Sequence, residues 1–483
     1  MKKGYYYTII LSTVLLATSC TLYQKPVVPA LQVPDHFKEE FHVTHPSLNE
    51  KWWENFHDLR LNTLVELALK NNLDYKVALK NIEIMNTYVV QYFSALFPQV
   101  NAYFDTTDNK SAAANLAAFA SNSVLNASDQ NQSRKYKLSH LYGTVSYEID
   151  VWNQIHNQVA QAKENTEMSI AQANIIKLSL ITTVVDTYFK ITTANAAIAN
   201  LHRQLAVAIE FLQLQKTQLQ SGLVDASSVE QASNQVEAIK ASIPVQEKQK
   251  SILLHSLAYL VGEYPEKWTF PVNQSIVALK TNHLIPEGIP SSMLANRPDI
   301  QNAFHQILSY GYLEKQNIAN FLPALSLTGT YGYASNSLAH LISAANTYWT
   351  YGFYVAQFVF DYQLRMSQYK RSQYQYESAI LTYRATVLNA YTEVDNALIS
   401  FEEDHKTLLA NQQQMFHMKA LTKLAEAQYQ AGLNDYTAYL SADLAYLQSE
   451  LTTANQKLMV VEDTLQIYKA LGLYPRDFSK PSR

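Results

Sequence analysis

The 483-residue sequence contains one cysteine, Cys20, so no internal disulfide can staple the fold. Glycine (11) and proline (14) are scarce, while Ala, Leu, Gln and Asn are abundant, a composition that favours long helices over a turn-rich domain. Charge bias is also missing. Lys and Arg number 37 against 41 Asp and Glu, giving a net charge of −4 with the signs interspersed, so no basic face for nucleic acid exists. Beyond the N-terminal leader no run of 18 apolar residues occurs, which argues against a bundle of membrane-spanning helices. There is no nucleophile elbow, phosphate loop or HExxH. His202, His255, His305 and His417 are single positions in helical stretches, and an enzyme is not expected. Thirty-three tyrosines are an excess that needs a physical explanation.

The leader has a positive part, Lys2-Lys3, an apolar run from Tyr5 to Leu16, and the small residues Ala17-Thr18-Ser19 before Cys20. These are the parts of an export signal. The cysteine at its end resembles a bacterial lipobox, in which the thiol is acylated and the cysteine becomes the mature N-terminus. Ala17 stands where such a box usually has Leu. Thr21 follows Cys20 in place of the Asp that favours inner-membrane retention, so the resemblance implies a covalent lipid on Cys20 and sorting to the outer membrane.

The dominant stretch runs from Trp152 to Gly222, about 70 residues without proline. Apolar residues recur at helical steps (Val151, Ile155, Val159, Ala162, then Val184, Val185, Tyr188, Ile191, Ile198, Leu201, Leu205, Ile209, Leu212) between Gln, Asn, Lys and Glu. A helix of that size is roughly 100 Å long, about three times the hydrocarbon core of a bilayer. It must pack on other helices along its length.

Around it the chain reads in order. Residues 20–56 form an extended, proline-spaced segment (Pro26, Pro29, Pro34, Pro46) ending in Lys51-Trp52-Trp53-Glu54-Asn55-Phe56. His36, Glu39, Glu40, His42 and His45 within it fit no closed zinc spacing. A helix from about Asp58 to Phe97 is ended by Pro98. The period then drops from 3.6 to 2: Val100, Ala102 and Phe104 alternate with polar residues, and after a polar loop from Lys110 to Gln132, Leu141, Gly143, Val145, Tyr147 and Ile149 do the same. The long helix turns at Ser221-Gly222-Leu223 and returns to Gly262, bent or broken at Pro244.

This pattern repeats. Asn72-Leu73-Asp74 is echoed by Arg297-Pro298-Asp299 and Phe97-Pro98 by Leu322-Pro323, both 225 residues on. Gln220-Ser221-Gly222-Leu223 is echoed by Gln430-Ala431-Gly432-Leu433, and Gly262 by Gly472, both 210 residues on. The expected organisation is a signal peptide (1–19), a lipidated extended segment (20–56), a first repeat (57–262, with its β-hairpin at 99–150), a linker (263–293), a second repeat (294–474, with its hairpin at 323–361) and a tail (475–483). Strands are expected near Ala324–Tyr333 and Tyr348–Asp361; the last is aromatic on both faces, and alternation does not assign its sides. Four strands cannot close a barrel. Either they form a small soluble sheet, or several chains share one barrel, three chains giving twelve strands.

Several of these segments together carry a resemblance: Lys51-Trp52-Trp53 to Leu61-Asn62, Ser146-Tyr147-Glu148-Ile149-Asp150-Val151-Trp152, Asn296-Arg297-Pro298-Asp299-Ile300, Phe321 to Leu327, Asn389 to Leu398, and Tyr468-Lys469-Ala470-Leu471-Gly472. In order and spacing the sequence resembles the TolC-like outer-membrane efflux proteins, in the lipoprotein branch that serves resistance-nodulation-division (RND) pumps. The resemblance implies a mainly α fold with a small β part. Three protomers would build an α-helical barrel continued by a shared 12-stranded transmembrane β-barrel. It also implies a passive exit duct for small molecules, with a periplasmic adaptor and an inner-membrane pump as partners and the outer-membrane lipid as its setting.

By the same resemblance, Ser221, Gly222, Leu223, Ala431, Gly432 and Leu433 are the periplasmic tip and the adaptor contact. Some relatives carry two aspartates, six and nine residues past the second tip glycine, as an acidic ring at the pore entrance. Here those positions are Ala438 and Ser441, with Asp435 and Asp443 as the nearby candidates. Two other readings stay open: a type I protein-secretion duct, and a lipid-anchored periplasmic coiled-coil scaffold without a pore. Cys20→Ala is expected to abolish fatty-acid labelling and to leave the trimer intact on size exclusion. Loss of trimers in that variant would show instead that the anchor is needed for assembly.

Overall fold

A computed structural model describes residues 24–29, 51–111, 134–268, 270, 272, 276, 279 and 291–475. Cys20, the histidines at 36–45, most of the 110–132 loop and most of the linker and tail lie outside these residues. The described chain is helical apart from one sheet. A 3-10 turn at Trp52–Phe56 is followed by α1 (Leu59–Asn71), α2 (Leu73–Ser94), β1 (Gln99–Ser111), β2 (Arg134–Glu148), α3 (Gln154–Gln220) and α4 (Ala226–Leu260). The second repeat supplies α5 (Pro298–Ala319), β3 (Ala324–Ser335), β4 (Thr347–Ala356), α6 (Tyr362–Gln430) and α7 (Tyr436–Ala470). The chain separates into two compact units, and each draws on both repeats. One comprises Met1–Pro29, Glu83–Thr166 and His305–Ile380, the other Ala30–Ile82, Glu167–Phe304 and Leu381–Arg483.

The long helices α3 and α6 have 67 and 69 residues, about 100 Å each. One 18-residue window of α3 is apolar on average, although polar residues interrupt it. More than half of that window, 56%, is buried, so its apolar face packs against neighbouring helices. Pro244 lies inside α4 without ending it. Its missing N–H removes one helical bond, and the surrounding turns hold the helix together.

The single helix expected from Asp58 to Phe97 is two. Asn72 has extended backbone (φ −53°, ψ 129°) between α1 and α2. Its side chain explains the break. Oδ1 accepts the Tyr75 amide at 2.9 Å, an N-cap for α2, while Nδ2 donates to the Leu260 carbonyl at 3.0 Å. The fourth strand is also shorter than expected, stopping at Ala356, with Gln357–Asp361 outside the sheet.

In the second unit the core gathers around the tryptophan pair. Trp52 stacks on Tyr468 (centroids 4.7 Å apart, planes at 11°) and donates from Nε1 to the Leu473 carbonyl at 3.1 Å. Phe56 meets Phe189, and Leu61, Leu64 and Val65 of α1 share this core with Ile181, Val184, Val185 and Ile191 of α3. A second cluster joins Ile300 of α5 to Ala390, Val394 and Leu398 of α6 and Ile467 and Leu471 near the chain's end.

Arg297 is the second repeat's counterpart of Asn72. Its side chain, 7% exposed, donates to the Ala470 carbonyl, to Asp299 and to Glu393 (both carboxylates at 2.7 Å). The two carboxylates keep its pKa raised even though burial alone would lower it.

In the first unit a polar seam joins α3 to α5 and the turn beyond it. Glu164 meets His305 at 2.7 Å, Ser309 donates to Asn165 at 2.7 Å, and Gln316 donates to Gln161 at 2.8 Å. Such a seam fixes helix register by hydrogen-bond pairing, where apolar contacts alone would tolerate a slip. Pro26 of the N-terminal segment lies buried against Gly311 of α5, where an added Cβ would come within 2.4 Å of the proline ring.

Arg297→Ala removes a buried donor and leaves two carboxylates, 35% and 38% exposed, to water. A loss of about 2–3 kcal/mol is expected. Arg297→Lys should recover less than half of it, because an ammonium cannot span three acceptors in the guanidinium's geometry. Thermal unfolding of the two variants measures this; an unchanged midpoint for Arg297→Ala would refute it.

Candidate functional site

Two features stand out, one in each unit. The first is the pair of helix-hairpin turns. At the end of α3 the Leu223 amide donates to the Gln218 carbonyl (2.9 Å) and the Gly222 amide to Leu219 (3.0 Å); at the end of α6, Leu433 donates to Gln428 and Gly432 to Tyr429, both at 2.9 Å. Both turns are therefore Schellman motifs. Gly222 and Gly432 have φ of +74° and +66°, the left-handed region that a side chain disfavours, and an added Cβ would meet nothing within 4 Å at either. Leu223 and Leu433 project with 74% and 79% of their surface exposed, and Ser221 and Ala431 are exposed beside them.

Two residues beyond each turn leucine an aspartate starts the returning helix. Asp225 accepts the Ser228 amide at 3.0 Å, and Asp435 accepts the Ala438 amide at 2.9 Å. The hydroxyls of Ser227 and Ser228 hold the Asp225 carboxyl below its ordinary range. The signal that could have found these caps is an Asp immediately ahead of each helical run, at the same 210-residue offset as the turns. Asp435 thus has a local duty at its helix N-terminus. Asp443, half-buried on α7, has its pKa raised, first by burial and further by Glu426, with Arg203 opposing.

Side-chain ties near these turns join α3 to α7. Tyr436 donates to Glu210, Arg203 pairs with Glu450, and Asn200 donates to the Leu447 carbonyl (2.9 Å) and to Glu450 (3.0 Å). Tyr436 also packs between Tyr429 (4.7 Å) and Tyr439 (5.5 Å). Pattern reading of the sequence did not single out Glu210, Arg203 or Tyr436, because each partner lies more than 200 residues away in the chain.

The second feature is the sheet, antiparallel throughout in the order β1-β2-β3-β4, so that β1 and β4 are its edges. Register sorts its residues. Val100 pairs with Val145, Val145 with Gly329 and Gly329 with Tyr351; Ala102, Gly143, Tyr331 and Trp349 form the next row on that face, and Tyr147, Leu327 and Phe353 another. The opposite face carries Asn101, Thr144, Thr330 and Thr350 in one row and Ser146 and Thr328 in another. Across the rows that all four strands share, one face is apolar and aromatic, and the other is polar or tyrosine-bearing. Trp349, Tyr351, Phe353 and Val355 of β4 belong to the apolar face, an assignment that alternation alone did not permit. Trp349 and Tyr351 stack at 5.5 Å with planes at 6°.

Long paired helices, mirrored Schellman turns and a two-faced sheet with open edges define a protomer of a helical and β-barrel channel. A profile described as "Outer membrane efflux protein" matches residues 64–263 and 289–473. The chain belongs to the outer membrane efflux protein family, whose members are ducts and not enzymes.

The chain is 26% identical over 420 residues to the solvent efflux pump outer membrane protein SrpC of Pseudomonas putida, covering 87% of this chain and 86% of that protein. It is 24% identical over 469 residues to the pyoverdine export outer membrane protein OpmQ of Pseudomonas aeruginosa, with 96% of each covered. Among solved structures the fold matches the CmeC outer membrane channel of Campylobacter jejuni with a TM-score of 0.80 at 23% identity, covering 94% of this chain and 96% of that one. It matches the open state of the MtrE channel of Neisseria gonorrhoeae with a TM-score of 0.79 at 22% identity, covering 93% and 97%. The protein is an efflux channel component of the outer membrane.

Gly222→Ala and Gly432→Ala are each expected to cost about 1–2 kcal/mol of local stability, since only backbone strain and no side-chain clash opposes the methyl. Hydrogen exchange should quicken at the amides of Gly222, Leu223, Gly432 and Leu433 while global unfolding barely moves. Equal exchange in variant and wild type would contradict the strain.

Proposed function

We propose that three copies of this chain assemble as the passive exit duct of a tripartite efflux system, receiving small molecules from an inner-membrane pump, of the RND type, through a periplasmic adaptor. The observation that carries this reading is the two-faced sheet with both edges open. Its apolar face suits lipid and its polar face water, while an unpaired strand edge within the hydrocarbon is untenable at several kcal/mol per group. Joining β4 of one copy to β1 of the next around a threefold removes every edge and gives twelve strands. A covalent lipid on Cys20 would add a second anchor.

The turns at Ser221-Gly222-Leu223 and Ala431-Gly432-Leu433 are proposed as the periplasmic tip that meets the adaptor, on the strength of their exposed leucines and matched geometry. Asp435 and Asp443 stand as candidates for an acidic ring at the entrance. Three copies of an inward carboxylate would favour cations there. Opening such a tip requires α3 and α7 to part. The ties Tyr436 to Glu210 and Arg203 to Glu450 oppose that movement.

Purified protein should run as a trimer and conduct in planar bilayers, and the Tyr436→Phe, Arg203→Ala double variant should conduct several-fold more than wild type. Folded protein that stays monomeric, or trimers that never conduct even in the double variant, would sink the duct reading. Co-purification with an adaptor and a pump identifies the rest of the system. Transfer of an unfolded polypeptide by that system would favour the secretion alternative.

A further inference from the structure

Resting on the trimeric-barrel reading, we propose that the lumen of the sheet holds a binding collar for organic cations that carry an aromatic ring or a quaternary ammonium, built by Tyr103, Tyr142, Tyr348, Asp105 and His140. All five lie on the polar face. In one row of the register Tyr103 pairs with Tyr142, Tyr142 with Gly332 and Gly332 with Tyr348; in the next, Asp105 pairs with His140.

The side chains meet as the backbone places them. Tyr103 stacks on Tyr142 with centroids 5.2 Å apart and planes at 25°. His140 stands edge-on to Tyr142 at 6.2 Å and to Tyr348 at 6.4 Å, with Nδ1 3.3 Å from the Asp105 carboxylate. Gly332 is what allows the row to close over itself. A Cβ there would fall 2.4 Å from Tyr142 Cβ, so the tyrosine occupies the space a side chain would need.

The chemistry of this cluster selects a class of ligand. Aromatic faces attract cations within about 6 Å of the ring, quaternary ammonium groups among them, and a carboxylate beside the rings adds a full charge. Among the residues this register places on that face, Asp105 and Glu148 are the carboxylates and Arg134, opposite Ser111 and three rows beyond Asp105, is the one Lys or Arg. Lys110, Lys135 and Lys137 fall on the opposite face in the same register. Around a threefold the collar would present nine tyrosines at one level and three Asp105 carboxylates at the next. Tyr103 remains 46% exposed, so a ligand can reach it.

The test uses full-length protein in non-ionic detergent at pH 8. Saturation-transfer NMR compares benzyltrimethylammonium with benzenesulfonate, which share a ring and differ in charge. The cation's signal is expected to be several-fold the stronger. Asp105→Asn should bring the ratio close to one, and the triple variant Tyr103→Leu, Tyr142→Leu, Tyr348→Leu should weaken both signals at least fivefold. Equal signals in wild-type trimers would overturn the proposal, as would an unchanged cation signal in Asp105→Asn, a near-isosteric change that keeps the test valid if the triple variant misfolds. Size exclusion and conductance on the same wild-type sample separate the two readings. Conducting trimers without cation preference refute the collar alone, whereas protein that neither trimerises nor conducts refutes the duct and the collar with it.

Discussion

Each repeat is closed by one side chain that reaches from its first helix to the end of its last. Asn72 donates to the carbonyl of Leu260, two residues before Gly262, and Arg297 donates to the carbonyl of Ala470, two residues before Gly472. Both residues are buried, and both carbonyls belong to helix C-termini that would otherwise carry unpaired acceptors. A repeat of roughly 200 residues folded mostly as long helices has few contacts to fix where it begins and ends. The clasp supplies one, and it recurs at matching places in both halves. Asn72 manages with an amide that also caps α2, whereas Arg297 adds two carboxylates, from Asp299 and Glu393, and ties α6 into the closure.

The clasps explain which parts of the fold the sequence made legible. Periodicity over 67 and 69 residues announces α3 and α6 beyond confusion with strands, and Gly-Leu pairs 210 residues apart mark both turns. The echo of Asn72 by Arg297 was visible as well, but its meaning was not. An Asn inside a run of helical period reads as a tolerated polar residue, so the expected helix ran through it; the break appears only when the Leu260 carbonyl arrives from 188 residues away. The aromatic fourth strand was illegible for a related reason. Alternation separates polar from apolar, and a strand with rings on both sides offers no contrast until its partners in β3 assign the faces.

At the candidate sites the same division holds. Gly222 and Gly432 were found because left-handed backbone needs glycine, a local rule. Asp435 was noticed as a charge near the tip, and its carboxylate proves to cap α7. The ties from Glu210 to Tyr436 and from Arg203 to Glu450 link residues 226 and 247 positions apart, which no local pattern can announce.

Those ties also account for part of the tyrosine excess. With charged residues at 16% of the chain, helices are joined by phenol-to-carboxylate bonds as well as by ion pairs: Tyr188 to Asp58, Tyr259 to Asp74 and Tyr436 to Glu210. A phenol brings no charge of its own to such a contact, where a Lys or Arg partner would add a second ion to desolvate. Burial and Asp58 raise the Tyr188 pKa, and Glu210 raises that of Tyr436, so neither phenol ionises near neutral pH and both bonds persist as donors. The ring adds apolar area that an ammonium lacks. On the sheet the same amphipathic side chain serves either face, with Tyr331 and Tyr351 on the apolar side and Tyr103, Tyr142 and Tyr348 on the polar one. A protein that must pack helices in water and present strands to both lipid and a lumen has reason to prefer a residue that is apolar in its body and polar only at its tip.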